Sequence, residues 1–162
     1  MTENEKRMHR ACFTGHRPEK LTRSENAIRK DLEKQIRQAV TDGLNVFISG
    51  MARGVDIWAA QIVLKLRNEG TDVKLICACP YKGFELGWSR EWQQQYKEVL
   101  ESADFIKYVC AGYSRACFQI RNEWMVNHAV RVIAIFNGEK GGTKNTMDYA
   151  AKIGVPVVRI KG

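Results

Sequence analysis

The sequence predicts an α/β fold, a Rossmann-like three-layer sandwich with a mostly parallel sheet of about six strands. Two observations predict it. Short apolar runs alternate along the chain with amphipathic stretches of helical period. Glycine, small hydroxyl residues and basic side chains recur just after the apolar runs, where an open α/β sheet places its loops. The 162 residues suit one domain with a single core, and residues 1–8 are expected to fray.

The elements follow in order. Ala11 to Thr14 reads as a first strand, and Ser24 to Asp42 as a helix with Ile28, Leu32, Ile36 and Ala39/Val40 on one stripe. Gly43 punctuates its end. Leu44 to Ser49 is a second strand. Val55, Trp58/Ala59, Ile62/Val63 and Leu66 stripe the next helix, which stops at Gly70. Val73 to Cys79 is a third strand, closed by Pro80. Trp88, Trp92, Tyr96 and Val99/Leu100 stripe a third helix running to about Ser102, and Phe105 to Val109 is the fourth strand. A helix over Ala116 to Ala129 leads to an almost uninterrupted apolar strand, Val130 to Phe136, suited to burial on both faces. Thr143 to Ile153 and Val155 to Ile160 supply the last helix and strand, Pro156 being tolerable at an edge. Six strands alternating with five helices imply right-handed crossovers within one domain. Trp88, Trp92 and Trp124 fall on helical stripes and are assigned to the core.

Composition narrows the function classes. No apolar run approaches the roughly 20 residues that span a bilayer, and Met1 to Arg10 lacks the apolar stretch of a signal peptide. The expected setting is cytoplasmic, with no membrane partner. Cys12, Cys77, Cys79, Cys110 and Cys117 contain no CxxC pair and read as small buried hydrophobes. His9, His16 and His128 lack metal spacing, so no structural metal is expected. The net charge of +8 favours an anionic partner, a phosphorylated small molecule or nucleic acid. A solvated charged face on the helix from Arg29 to Arg37 accounts for part of it.

The strand ends carry the chemistry. Thr14-Gly15-His16-Arg17-Pro18 follows the first strand, Ser49-Gly50-Met51-Ala52-Arg53-Gly54-Val55-Asp56 the second, and Pro80-Tyr81-Lys82-Gly83 the third. Asn137-Gly138-Glu139-Lys140-Gly141-Gly142-Thr143 follows the fifth. The second turn admits two readings. Gly50 and Gly54 can open a helix N-terminus to a phosphate, with Arg53 as a fork-shaped cation. Equally, the glycines can serve backbone geometry while Asp56 favours the first helical turn. Neither a GxGxxG nor a GxxxxGK[ST] motif is present, which argues against ordinary dinucleotide dehydrogenases and P-loop NTPases.

Phe47 to Asp56 resembles the SGxARGID signature of the DNA-processing protein A (Smf) family. Ile120-Arg121-Asn122-Glu123-Trp124-Met125 is similar to that family's RNRxI helix start and to the R-K-x-x-M stretch of the LOG phosphoribohydrolases. Both belong to the SLOG superfamily of Rossmann-like nucleotide-ligand binders. Phe13 to Pro18, Pro80 and the tryptophan-bearing helix resemble the stand-alone SLOG proteins of the YspA/YpsA/YoqJ type, found in bacteria and their phages.

The resemblance implies that Gly15, His16 and Arg17 contact a ligand while Ser49, Gly50, Arg53 and Gly54 cradle its phosphate. Arg121 and Asn122 would approach from the fourth helix, and Gly141, Gly142 and Thr143 would close the far side. Asp56, Pro80, Tyr81, Glu123 and Asn137 complete the candidate set, with Tyr81 placed to touch a base. One departure concerns catalysis: where LOG enzymes carry the glutamate of GGxGTxxE, Thr146 stands, and a threonine cannot act as that carboxylate. Glu123 or Asp148 could stand in for it, but nothing in the spacing demands either, and no catalytic residue is assigned.

The leading expectation is binding or sensing of a nucleotide-derived ligand, ADP-ribose-like or cyclic, without strong catalysis and with no other cofactor. A nucleoside monophosphate phosphoribohydrolase or nucleotide N-glycosidase is one alternative; single-stranded DNA binding is another. A homo-oligomer is expected.

Overall fold

The computed structural model describes residues 1–162. Six strands, β1 (Arg10–Gly15), β2 (Val46–Ser49), β3 (Lys74–Cys79), β4 (Phe105–Tyr108), β5 (Arg131–Phe136) and β6 (Val157–Lys161), form one sheet in the order β4-β3-β2-β1-β5-β6. Every neighbouring pair is parallel, so the sheet is parallel throughout. The helices are α1 (Glu3–Arg7), α2 (Glu25–Thr41), α3 (Val55–Asn68), α4 (Arg90–Ser102), α5 (Cys117–Asn127) and α6 (Gly142–Ile153).

Two apolar layers hold the sheet. Ile28, Leu32 and Ile36 of α2 join Ile57, Val63 and Leu66 of α3 and Phe13, Phe47 and Leu75 of the strands in the larger core. Met125 and Val126 of α5, with Met147 and Ala150 of α6, pack on Cys12, Ile48, Val132 and Ala134 in the smaller one. Alternate residues of a strand face opposite layers, so Phe13 and Cys12 belong to different cores. Cys77 and Cys79 fall together in the larger core, as their two-residue spacing predicts. All five cysteines are free thiols. No helix is long and apolar enough to cross a membrane.

Three expectations are corrected. The chain has six helices rather than five, the added one lying within residues 1–8. Thr2 and Glu5 form a reciprocal capping box, and Arg10 holds Glu3 at 2.6 Å, so a short sixth helix forms before β1. Trp88 lies outside α4, because the Ser89 side chain accepts from the Trp92 N–H and starts the helix at Arg90. Trp88, Trp92 and Trp124 are half-buried, packed against the margins of the two cores rather than within them.

The chain runs from β1 outward through β2 and β3 to β4, then returns to place β5 on the other side of β1. Connections leaving β1 and β5 therefore diverge to opposite faces. A crevice opens above their carboxyl ends, the position where doubly wound sheets take ligands.

Candidate functional site

A cavity of about 610 Å³ lies over the carboxyl ends of the strands, within the size range of small-molecule sites. Each central strand end contributes. Thr14, Gly15, His16 and Arg17 come from β1; Ala52, Arg53 and Asp56 from the β2–α3 turn; Tyr81, Phe84 and Trp88 from the segment after β3. Glu139, Lys140, Gly141, Gly142 and Thr143 come from the β5–α6 turn, with Lys20 at the rim. Helix α5 supplies Phe118, Arg121, Asn122 and Met125, a spacing of three and four that puts them on one face.

The β2–α3 turn is held from within. Ser49 Oγ donates to the Asp56 carbonyl at 2.8 Å and accepts the Met51 N–H at 3.2 Å. Met51 is fully buried in the left-handed region at φ 63°, a conformation costly for a side chain of its size. Gly54 has φ 91°, and a Cβ there would stand 2.8 Å from Pro18 Cδ, so only glycine fits between the turn and the β1 loop. At Gly50 the need is close approach. An added Cβ would meet Asp56 Oδ2 at 2.9 Å and Arg121 Cζ at 3.1 Å.

Arg121 and Asp56 therefore both crowd the side of Gly50 where a Cβ would stand. Arg121 is almost fully buried; one terminal nitrogen donates to the Gly50 carbonyl and Nε donates to Asn122 Oδ1 at 2.8 Å. Burial lowers its pKa, while Asp56 opposes that shift. Asp56 is 5% exposed, and its Oδ2 accepts the Ala52 N–H at 3.2 Å. Its Oδ1 has no hydrogen-bond partner. Burial pushes the Asp56 pKa up to about 6, against the opposing pull of Arg121 and the Ala52 N–H.

His16 is fixed differently. Its Nε2 accepts the Asn137 backbone N–H at 3.1 Å, so the neutral ring carries its hydrogen on Nδ1. Burial lowers its pKa, and the ring stacks on Phe136 with centroids 5.8 Å apart. Arg53 pairs with Glu19 at 3.0 Å on the rim. The walls carry Arg17, Lys20, Arg53, Arg121 and Lys140 against Asp56 and Glu139, a cationic excess suited to an anion.

Several predicted residues stand behind the cavity rather than in its wall. Ser49, Gly50 and Gly54 build the turn. Pro80 is buried, its carbonyl accepting the Cys110 N–H. Glu123 accepts from Gln119 one helical turn earlier. Asn137 accepts the Glu139 N–H through its side chain and donates to the Lys20 carbonyl, bracing the rim. Thr146 is fully buried, its hydroxyl donating to the Gly142 carbonyl, and it also lies outside the wall. Nine lining residues fall outside the candidate set: Thr14, Ala52, Glu139 and Lys140 lie within the strand-end segments read from the sequence, whereas nothing local marks Lys20, Phe84, Trp88, Phe118 and Met125 as facing a cavity.

The model of the YspA SLOG family matches residues 11–154, which include every strand end of the cavity. The chain belongs to the YspA SLOG family. Among its relatives, the SPbeta prophage-derived protein YoqJ of Bacillus subtilis (strain 168) is 36% identical over 118 residues, 65% of this chain and 69% of YoqJ. A UPF0398 protein of Bacillus thuringiensis (strain Al Hakam) is 30% identical over 150 residues, 87% of this chain and 81% of that protein.

Solved structures share this SLOG fold. DNA processing protein A from Streptococcus pneumoniae superposes with a TM-score of 0.69 at 21% identity, covering 96% of this chain; the chain spans about half (51%) of that protein. The Helicobacter pylori counterpart, described with a single-stranded DNA binding mode, gives a TM-score of 0.68 at 17% identity over 99% of this chain and 68% of its own. These two likenesses bear on fold alone.

Proposed function

We propose that this SLOG protein binds a nucleotide-derived, phosphate-bearing ligand in the cavity over the strand ends, acting as a sensor rather than as a strong catalyst. The observation that carries the reading is the pairing of a cationic excess with an aromatic wall in one cavity. Phosphate is served by Arg17, Lys140 and the backbone turns at Gly15 and Gly141–Gly142, beside the β1/β5 crevice. A base is served by Tyr81, Phe84 and Phe118, whose rings touch edge to face or tilted at 5.9–6.4 Å. The LOG-type glutamate has no counterpart at Thr146, which favours binding over glycosidic cleavage.

Calorimetry with AMP, ADP and ADP-ribose tests the reading. At least one should bind, and Arg17→Ala combined with Lys140→Ala should weaken it by roughly tenfold or more. No binding by any of them up to millimolar concentration would defeat it.

Single-stranded DNA is a second reading, favoured by Tyr113. This residue is 71% exposed and meets Tyr81 and Phe118 of the cavity wall, with ring centroids 6.0 and 6.4 Å away. Exposed rings beside cations suit base stacking. Oligonucleotide binding that weakens steeply with salt and is lost in Tyr113→Ala would support it; no binding at low salt would remove it.

A further inference from the structure

We propose that His16 is a latch at the cationic end of this cavity: its neutral ring ties the β5–α6 turn to the β1 end, and protonation of the ring releases that turn. The consequence for ligand binding rests on the nucleotide-binding reading above; the latch itself does not.

The β5–α6 turn has little else to hold it. Gly138 to Gly142 are exposed, and Gly138 and Gly141 take positive φ of 91° and 145°. Beyond the helix it opens, residues 137–141 are joined to the rest of the protein by two hydrogen bonds, both from Asn137. The Asn137 backbone N–H donates to His16 Nε2 at 3.1 Å, and its Nδ2 donates to the Lys20 carbonyl at 2.9 Å. Its Oδ1 accepts the Glu139 N–H at 2.9 Å, which shapes the turn from within.

His16 is placed for this by the sheet. Strands β1 and β5 pair as far as Gly15 and Ile135, so His16 and Asn137 stand just past neighbouring strand ends. The backbone ladder stops there, and the imidazole takes the N–H that the ladder leaves over. What the latch holds together is charge. Arg17 and Lys20 lie on the β1 side of the cavity wall, and Lys140 lies on the β5 side. Fixing one segment against the other fixes the spacing of these cations, and an anion that meets them need not order the turn itself.

The bond exists in one protonation state only. A neutral ring with its hydrogen on Nδ1 offers Nε2 as an acceptor, whereas both nitrogens of an imidazolium donate. Protonation therefore sets two N–H groups against each other. Of the charged groups around the ring, Glu139 favours the imidazolium and Lys20 opposes it. Arg17 is the next residue, and Arg159 lies over the Phe136 ring on which His16 stacks. Burial is the largest influence and, with Lys20, lowers the His16 pKa below its ordinary 6.5. The latch is thus closed at neutral pH, and its contribution to stability is lost as pH falls below 6.5 toward the lower folded value.

NMR and amide exchange on the full-length protein test the latch across pH 7.5 to 5. At neutral pH the His16 ring should carry its hydrogen on Nδ1 and the Asn137 amide should be protected. As the ring charges, the protection factors of Asn137 and Glu139 should fall roughly three- to tenfold, the worth of about one hydrogen bond. His16→Gln offers an amide oxygen near the Nε2 position and does not titrate, so its protection should persist into acid. His16→Ala should lose protection at every pH; should it fail to fold, the wild-type and His16→Gln profiles carry the comparison. ADP affinity should follow the same pattern, weakening in acid for wild type and holding in His16→Gln. Asp56, with its pKa of about 6 in the same cavity, is unchanged in His16→Gln, so any pH dependence left in that variant belongs to it. An Asn137 amide whose protection ignores the titration of His16 would overturn the proposal. ADP binding that tightens as the ring charges would make the imidazolium a phosphate contact and overturn the release. If ADP does not bind even at pH 7.5, the nucleotide-binding reading loses its support, and the exchange profiles alone decide the latch.

Discussion

At the scale of single residues, the site stores cost where its chemistry sits. Asp56 is ordinarily a carboxylate with a pKa of 3.8, and burial raises it to about 6. Between those values the folded protein holds a proton that the unfolded chain has released. Stability therefore falls as pH rises through that window, and the deficit is complete above about pH 6. Asp56→Asn removes the buried charge and keeps an acceptor for Ala52. The variant should be more stable than wild type by about 2–3 kcal/mol at about pH 7.5, with the difference fading toward pH 4. Urea unfolding at several pH values checks this, and an advantage independent of pH would contradict it. Ser49 makes the opposite case: its hydroxyl bridges Asp56 and Met51 in a fully buried position. Ser49→Ala should cost about 1–3 kcal/mol in the same measurement. Both residues were legible in the motif, but their roles were not. Sequence alone left the turn open between anion site and backbone device. In the folded protein Ser49, Gly50 and Gly54 build the device, while Arg53 and Asp56 reach the cavity.

At the scale of elements, the helices differ in how openly they announce themselves. Helix α2 presents Ile28, Leu32, Ile36 and Ala39 at regular spacing, and that stripe is the buried one. Helix α5 does not, because Arg121 and Asn122 occupy its buried face while Phe118 and Ile120 stay exposed. A search for an apolar stripe finds little there; the resemblance to SLOG motifs was needed to single out Arg121. Phe84 and Trp88 were hidden for a related reason. They sit in an irregular segment whose path depends on the Tyr96–Phe84–Trp88 ring cluster rather than on any local period. Arg121 itself gives an element-level prediction. It donates to the Gly50 carbonyl and to Asn122 at once, tying α5 to the β2 end, and its charge holds the Asp56 pKa down. In Arg121→Met the Asp56 pKa should rise above its wild-type value of about 6, followed by the carboxyl carbon in an NMR titration. An unchanged midpoint would show that the guanidinium does not act on it. Arg121→Lys restores the charge but not the fork, so it should recover the pKa better than the stability.

At the scale of the whole molecule, the alternation of elements was readable, but the order of strands was not. Nothing in the sequence says that β5 lands beside β1, and this placement both opens the crevice and leaves β4 as an edge. All four residues of β4 are exposed, including Phe105 at 57%, Ile106 at 36% and Tyr108 at 39%, with Lys107 the one charge among them. Phe118 and Ile120 of α5, 37% and 47% exposed, add apolar surface. An open parallel edge with apolar side chains on both faces invites pairing, and a single lysine is a weak guard. A second copy joined along β4 about a two-fold axis would cover the open edge, and such an interface is self-complementary. The expected state in solution is therefore a dimer. Sedimentation equilibrium should return twice the mass of 18.5 kDa for wild type, and Phe105→Lys combined with Ile106→Lys should return the monomer with its fold intact by circular dichroism. Neither position lines the cavity, so nucleotide affinity should survive in that variant. A wild type that stays monomeric at high micromolar concentration would leave the exposed edge without this explanation.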